Sequence, residues 1–96
     1  MRKYEIMFIV RPTVSEEEYK EIIKKFTDVL KSNGATINEE KNIGQKDFAY
    51  EIKDFKSGFY YLLNVEANDA KSISEFDRQA RISDVIIRHL VKKIEG

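Results

Sequence analysis

The spacing of apolar residues along this chain changes repeatedly, and the order of the changes limits the folds it can adopt. Residues 4–10 place a large apolar side chain at every second position, the pattern of a β-strand. In residues 19–30 the apolar residues recur three and four positions apart, as in an amphipathic α-helix. The same analysis predicts strands at 35–52, 59–67 and 84–94, and a second helix at 68–82. The order is therefore strand–helix–strand, repeated once.

Two such units close into a ferredoxin-like α+β sandwich, in which a four-stranded antiparallel sheet carries both helices on one face. Right-handed crossovers support this arrangement. The first and third strands are the most apolar, so we expect them at the centre of the sheet. The whole chain, residues 1–96, is interpreted as a single domain of this βαββαβ type. The other face of the sheet is left without a covering layer.

Short polar signals mark the ends of these elements. Ser15 and Glu18 have the spacing of a capping box at the start of the first helix, and Gly34 is placed for a left-handed C-terminal cap. Either Asp69 or Ser72 could cap the second helix. Gly44 predicts a break or bulge in the second strand.

The third strand could face the helices in either of two registers. One face would carry Phe59, Tyr61, Leu63 and Val65, and the other Tyr60, Leu62, Asn64 and Glu66. Burying the second set would place the Glu66 carboxylate under the helices, at a large cost in desolvation. We therefore predict that the first set is buried. The matching buried residues of the first strand are Tyr4, Ile6, Phe8 and Val10.

This register leaves an apolar patch on the uncovered face of the sheet. The patch consists of Met7, Ile9, Tyr60 and Leu62. Exposed apolar patches are typical of protein–protein contacts, so we interpret these four residues as a face for a partner protein. A few scattered exposed apolar residues are the alternative interpretation.

Composition excludes several kinds of site. The chain has 17 basic and 17 acidic residues, one histidine and no cysteine, so disulfides and cysteine-ligated metals are excluded. A reducing cytoplasm is the expected compartment. No apolar run approaches the ~20 residues that a membrane span needs. His89 is predicted to point inward, which leaves no constellation for a metal or a general base. We therefore predict no catalytic residue, no metal, no cofactor and no small-molecule substrate.

Three other functions share this architecture. A free-standing RNA-recognition module would use "GFYY" at 58–61 to stack on single-stranded RNA, but the predicted register buries Phe59 and Tyr61. An acylphosphatase-like enzyme would need a phosphate-cradling glycine loop after the first strand, and this chain has the acidic "RPTVSEEE" there. A small-molecule-sensing domain that dimerises through the open sheet is the third alternative.

The chain resembles the family of the sixth protein of the bacterial small ribosomal subunit. Five segments in order carry the resemblance: "MRKYEIMFIVRP", "LKSNGA", "GQKDFAYEI", "GFYYLLNVEA" and "ARISDVIIRHLVKK". The resemblance implies a ferredoxin-like fold and no catalysis. It also implies binding to the central domain of 16S rRNA, as a heterodimer with the eighteenth small-subunit protein, in the cytoplasm and on the ribosome.

Family positions that contact RNA can be carried over one by one. The resemblance assigns RNA binding to Arg2 and Lys3 at the start, to Lys46, to Arg81 and to Arg88. Gln45 and Asp47 stand where relatives carry further basic residues, which weakens one part of this surface. Solvated surface chemistry is the alternative for each residue, and Arg81 could simply complement the C-terminal end of its helix.

Overall fold

The computed structural model describes residues 2–95 and has the predicted order of elements. Its strands and helices are β1 (Arg2–Val10), α1 (Glu16–Ser32), β2 (Thr36–Ile52), β3 (Phe55–Ala67), α2 (Lys71–Ile82) and β4 (Ile86–Glu95). The four strands form one sheet in the order β2-β3-β1-β4, and every neighbouring pair is antiparallel. The predicted βαββαβ fold, with β1 and β3 central, is confirmed.

The core lies between one face of the sheet and both helices. It contains the predicted sets from β1 and β3, together with Phe26 and Leu30 of α1 and Ile73, Phe76 and Ala80 of α2. Phe8 is at its centre, with ring centroids 5.6–5.9 Å from those of Tyr61, Phe26 and Phe76. The predicted register is therefore confirmed. We call the opposite side of the sheet, which faces away from the helices, the open face.

Helix α1 begins and ends as its sequence predicts. The Ser15 side chain accepts a hydrogen bond from the Glu18 backbone N–H at 3.2 Å. At the other end Gly34 has φ +98°, and the N–H groups of Gly34 and Ala35 donate to the carbonyls of Lys31 and Leu30. This pair of hydrogen bonds is a Schellman motif, which satisfies carbonyls that the helix leaves unpaired.

The hairpin between β2 and β3 is longer than the sequence predicts. Strand β3 begins at Phe55, four residues before the predicted start, and Ile52 pairs with Phe55. Lys53 and Asp54 form the connection with φ +50° and +69°, the combination of a type I′ turn. The predicted irregularity at Gly44 is present, as a register shift between Asn42 and Gly44 with a glycine φ of +94°.

Candidate functional site

The middle of the open face is an apolar row that crosses three strands. Met7 of β1 pairs with Leu62 of β3 on one side and with Leu90 of β4 on the other. Met7 and Leu62 are half-buried, whereas Leu90 is 51% exposed. Tyr60, also half-buried, lies next along β3 and pairs with Ile9. Leu90 therefore belongs to the predicted partner face, although the sequence analysis did not include it. Its position two residues from Arg88 on β4 would have placed it on the same face.

The sequence predicts that Ile9 is an accessible part of this patch, and the structure differs. It lies on the open face but is only 4% exposed. Ile9 lies next to Gly58, and so does the ring of Phe48, which comes from the long hairpin. Phe48 also contacts Tyr60, with ring centroids 6.1 Å apart. The hairpin thus folds over one end of the open face, so Ile9 offers almost no surface to a partner.

A cavity of about 420 Å³ lies where the hairpin meets the open face. Arg88 of β4 and Tyr60 of β3 line it, together with hairpin residues 47–52. Arg88 pairs with Ile9 in the sheet and is exposed. Lys46, also exposed, pairs with Gly58 at the same end of the open face. Three strand spacings of ~4.8 Å separate β2 from β4, so the backbones of these two residues lie at least about 14 Å apart across the sheet.

Arg2 and Lys3 are exposed at the opposite end of β1. Lys3 is six residues from Ile9, a distance of about 20 Å along a strand. Its Nζ is 4.0 Å from a Glu66 carboxylate oxygen, and the same carboxylate accepts a hydrogen bond from Asn38 at 2.8 Å. This end of the open face is therefore polar and partly neutralised.

Arg81 lies on the other layer of the molecule, in the last turn of α2. Its guanidinium is 3.0 Å from Asp77 Oδ2, and Asp77 Oδ1 is 2.7 Å from Nε2 of His89 on β4. The hydrogen bond with His89, followed by the charge of Arg81, holds the pKa of the Asp77 carboxyl below its usual range. His89 is largely buried against the edge of Phe76, as the sequence predicts.

The five predicted RNA-binding residues thus lie in three places. Lys46 and Arg88 share the hairpin end of the open face. Arg2 and Lys3 lie together at the other end of β1, Lys3 on the open face and Arg2 on the helix side, and Arg81 lies on the helix layer. Arg88 and His89 are neighbours on β4 that point to opposite faces, so Arg81 and Arg88 lie on the two sides of this edge strand. The structure creates no single basic patch from them.

Phe59 and Tyr61 do not present their rings on the open face, where an RNA-recognition module would stack them on bases. Tyr61 is buried in the core, and Phe59 packs on the helix side with its ring centroid 5.3 Å from that of Tyr19.

Among residues 2–95 no cluster of three acidic or histidine side chains could hold a metal ion. In the same range, no helix is long and apolar enough to span a membrane.

Comparisons with known proteins place this geometry in a family. A solved structure of 30S ribosomal protein S6 from Thermotoga maritima superposes with a TM-score of 0.91 at 30% identity, over 97% of this chain and 87% of that one. The C-terminal domain of the MgtC protein from Mycobacterium tuberculosis has a TM-score of 0.66 at 9% identity, over 100% of this chain and 90% of that one, a likeness of fold alone. The family model described as ribosomal protein S6 matches residues 3–93. This chain belongs to the ribosomal protein S6 family, a family of structural ribosomal proteins.

Proposed function

We propose that this protein binds the central domain of 16S rRNA together with the eighteenth small-subunit protein. Membership of a ribosomal family is the observation that carries the proposal. In this assignment the row formed by Met7, Leu62 and Leu90, with Tyr60 beside it, contacts the partner protein. The basic residues around it contact RNA phosphates. The protein acts on the ribosome as a structural component.

The charge of the molecule supports a role for the partner in RNA binding. Basic and acidic residues are equal in number, and the five candidate cations lie in three separate places. Each neutralised phosphate contributes roughly 0.7–0.9 to the salt dependence of RNA binding. A protein that brings so few cations together binds RNA weakly alone at physiological salt. A partner seated on the open face would supply the additional basic surface.

Contacts to phosphates position a protein on RNA without reading its sequence. Lys46 and Arg88 are well placed for this, since both are exposed beside the cavity under the hairpin. Arg81 is held by Asp77, which fixes its guanidinium on the helix side of β4. Specificity for the rRNA site then comes from the shape of the two-protein surface.

Binding to a central-domain fragment of 16S rRNA tests this proposal, with and without the partner protein, at two salt concentrations. We expect tight binding only with the partner, and roughly tenfold weaker binding for Lys46→Ala combined with Arg88→Ala. Lys24→Ala combined with Lys31→Ala removes two exposed cations from α1 and is the matched control. Equal affinity with and without the partner would contradict the cooperative mechanism, and absence of binding in both cases would contradict the proposed function.

A further inference from the structure

Strand β4 is an open edge of the sheet. In the order β2-β3-β1-β4 it pairs with β1 on one side only, and no other strand among residues 2–95 lies beyond it. Alternate residues of an antiparallel edge strand direct their N–H and C=O groups away from the neighbour, where another strand could pair with them. The register between Tyr4–Lys93 and Ile9–Arg88 is continuous, so no bulge interrupts the central part of this edge.

The same edge carries accessible apolar side chains on both faces of the sheet. Leu90 is 51% exposed, Val91 36% and Ile94 53%. Leu90 lies on the open face opposite Met7, whereas Val91 lies on the helix side opposite Ile6. An added strand would bury apolar surface on both faces, which the open-face partner proposed above would not do.

The charge of β4 determines which strands it can accept. From Ile86 to Ile94 the strand carries Arg88, Lys92 and Lys93 and no acidic residue, and its one acidic residue, Glu95, stands at its C-terminal end. Arg88 and Lys92 point to the open face, and Lys93, opposite Tyr4, to the helix side. Opposite charges on directly paired residues stabilise a sheet, and like charges destabilise it. A partner strand must therefore carry acidic residues at these three positions.

A second copy of β4 does not meet this requirement. Antiparallel pairing of two copies centred on Leu90 would place Arg88 opposite Lys92 twice, by symmetry. Centring the pair between Leu90 and Val91 would place Arg88 opposite Lys93 twice. Lysines on an edge strand commonly prevent such self-association. In these two central registers the charges of β4 thus disfavour pairing with a copy of itself, while its apolar side chains stay accessible.

We infer that the β4 edge binds an extended segment of a partner protein by adding it to the sheet as a fifth strand. The segment carries two acidic residues opposite Lys92 and Lys93, two apolar residues opposite Leu90 and Val91, and a further acidic residue opposite Arg88. Backbone pairing supplies the affinity and the side chains supply the specificity, as in other cases of strand addition. The edge strand shares Arg88 and Leu90 with the open face, but the proposed rRNA function does not use its outward backbone groups. Failure of the peptide to bind would therefore leave that function untouched.

A designed peptide tests the inference directly. The probe is an acetylated, amidated peptide containing Val-Glu-Glu-Val-Val-Thr-Glu, which presents the required charges to β4 in the antiparallel direction. Fluorescence anisotropy measures its affinity, and amide hydrogen exchange by NMR locates its site. We expect the alternate β4 amides that point away from β1 to become protected. A peptide with lysine in place of each glutamate should bind at least roughly tenfold more weakly, because three cross-strand pairs become repulsive.

Two variants distinguish binding at the β4 edge from nonspecific hydrophobic binding. Lys93→Glu should reduce the preference for the acidic peptide without reversing it, because one of three attractive pairs becomes repulsive while those of Arg88 and Lys92 remain. Ile82→Ser removes an equally exposed apolar residue at the end of α2 and should leave peptide binding unchanged. Equal binding of both peptides, or protection outside β4, would overturn the inference. Two further observations would do the same: protection of these amides by the 16S fragment alone, or protection that grows with protein concentration without peptide.

Discussion

At the residue scale, Gly58 shows how closely the hairpin, β3 and β1 approach one another. A Cβ atom at this position would overlap Cγ2 of Ile9 and lie 3.0 Å from Cζ of Phe48 and 3.1 Å from the Val10 carbonyl oxygen. The backbone carbonyl cannot move away as a flexible side chain can. The glycine is needed here for space, whereas Gly34 and Gly44 are needed for their positive φ angles.

We predict that Gly58→Ala lowers the free energy of unfolding by about 1–3 kcal/mol, the usual cost of overpacking. Urea unfolding measures the change. In an Ile9→Ala background the penalty should shrink, because one of the overlapping groups is removed. Gly34→Ala is the contrasting variant, since no atom lies within 4 Å of its added Cβ and only the left-handed backbone opposes it. An unchanged penalty in the Ile9→Ala background would show that steric overlap with Ile9 is not the cause.

Asp77 connects α2 to the edge strand through His89 and also holds Arg81. Its pKa is lowered in the folded protein, first by the hydrogen bond with His89. A carboxyl with a lowered folded pKa stabilises the fold above its unfolded pKa of ~3.9 and loses that contribution as the pH falls through the folded value.

Asp77→Asn should therefore cost about 0.5–1 kcal/mol at pH 7, a modest value because the side chain is 39% exposed and screened by water. The difference from the wild-type protein should shrink as the pH falls below the unfolded pKa of ~3.9, because the unfolded chain then takes up a proton at Asp77 before the folded protein does. Chemical denaturation at pH 7 and at successively lower pH measures both values. Asp28→Asn, an exposed carboxylate on α1, should change stability little. A difference that stays constant with pH would mean that the charge of Asp77 contributes nothing.

At the element scale, the two helices begin differently. Helix α1 has the side-chain cap that its sequence predicts, but α2 begins after Ala70, and no side chain bonds as its N-cap. Of the two candidates that the sequence offers, Ser72 is not the cap. The helix starts at Lys71, so Ser72 faces the core, fully buried, and its Oγ has no partner among residues 2–95. Asp69, the other candidate, accepts a hydrogen bond from the Lys71 N–H at 3.0 Å.

Ser15→Ala should destabilise the protein by about 1 kcal/mol, because it leaves an N–H group of the first turn without its acceptor. Thermal or urea unfolding would measure this loss. Ser74→Ala is a suitable control: Ser74 is exposed in α2 and its side chain caps nothing, so alanine should be neutral or slightly stabilising there. Equal effects of the two substitutions would show that the Ser15 hydrogen bond does not stabilise α1.

At the scale of the whole molecule, the two faces of the sheet differ in burial. Leu63 is fully buried under the helices, whereas its neighbour Leu62 is half-buried on the open face. The same residue type at adjacent positions therefore allows a contribution to stability to be tested separately from the proposed contribution to partner binding.

We predict that Leu63→Ala costs about 2–5 kcal/mol of unfolding free energy, the range for a buried leucine, and that Leu62→Ala costs much less. Binding to the partner protein should show the opposite order, with Leu62→Ala weakening it and a folded Leu63 variant such as Leu63→Met binding normally. Unfolding curves and a titration with the partner test the pair. Similar losses of stability for Leu62→Ala and Leu63→Ala would mean that the open face is covered within the molecule itself.

Local signals in the sequence determined the element order, the register of β1 and β3, and the caps of α1. Each depends on residues a few positions apart: alternating Phe59 and Tyr61, Ser15 with Glu18, and Gly34 after a helix. Only the tertiary structure revealed the burial of Ile9, the place of Leu90 beside Met7, and the Asp77–His89 contact. These features join residues that are far apart in the chain. The periodicity of a local segment does not specify which distant side chain packs over a given position. The strand order separates the candidate cations for the same reason, because pairing across the sheet, and not spacing along the chain, sets their positions.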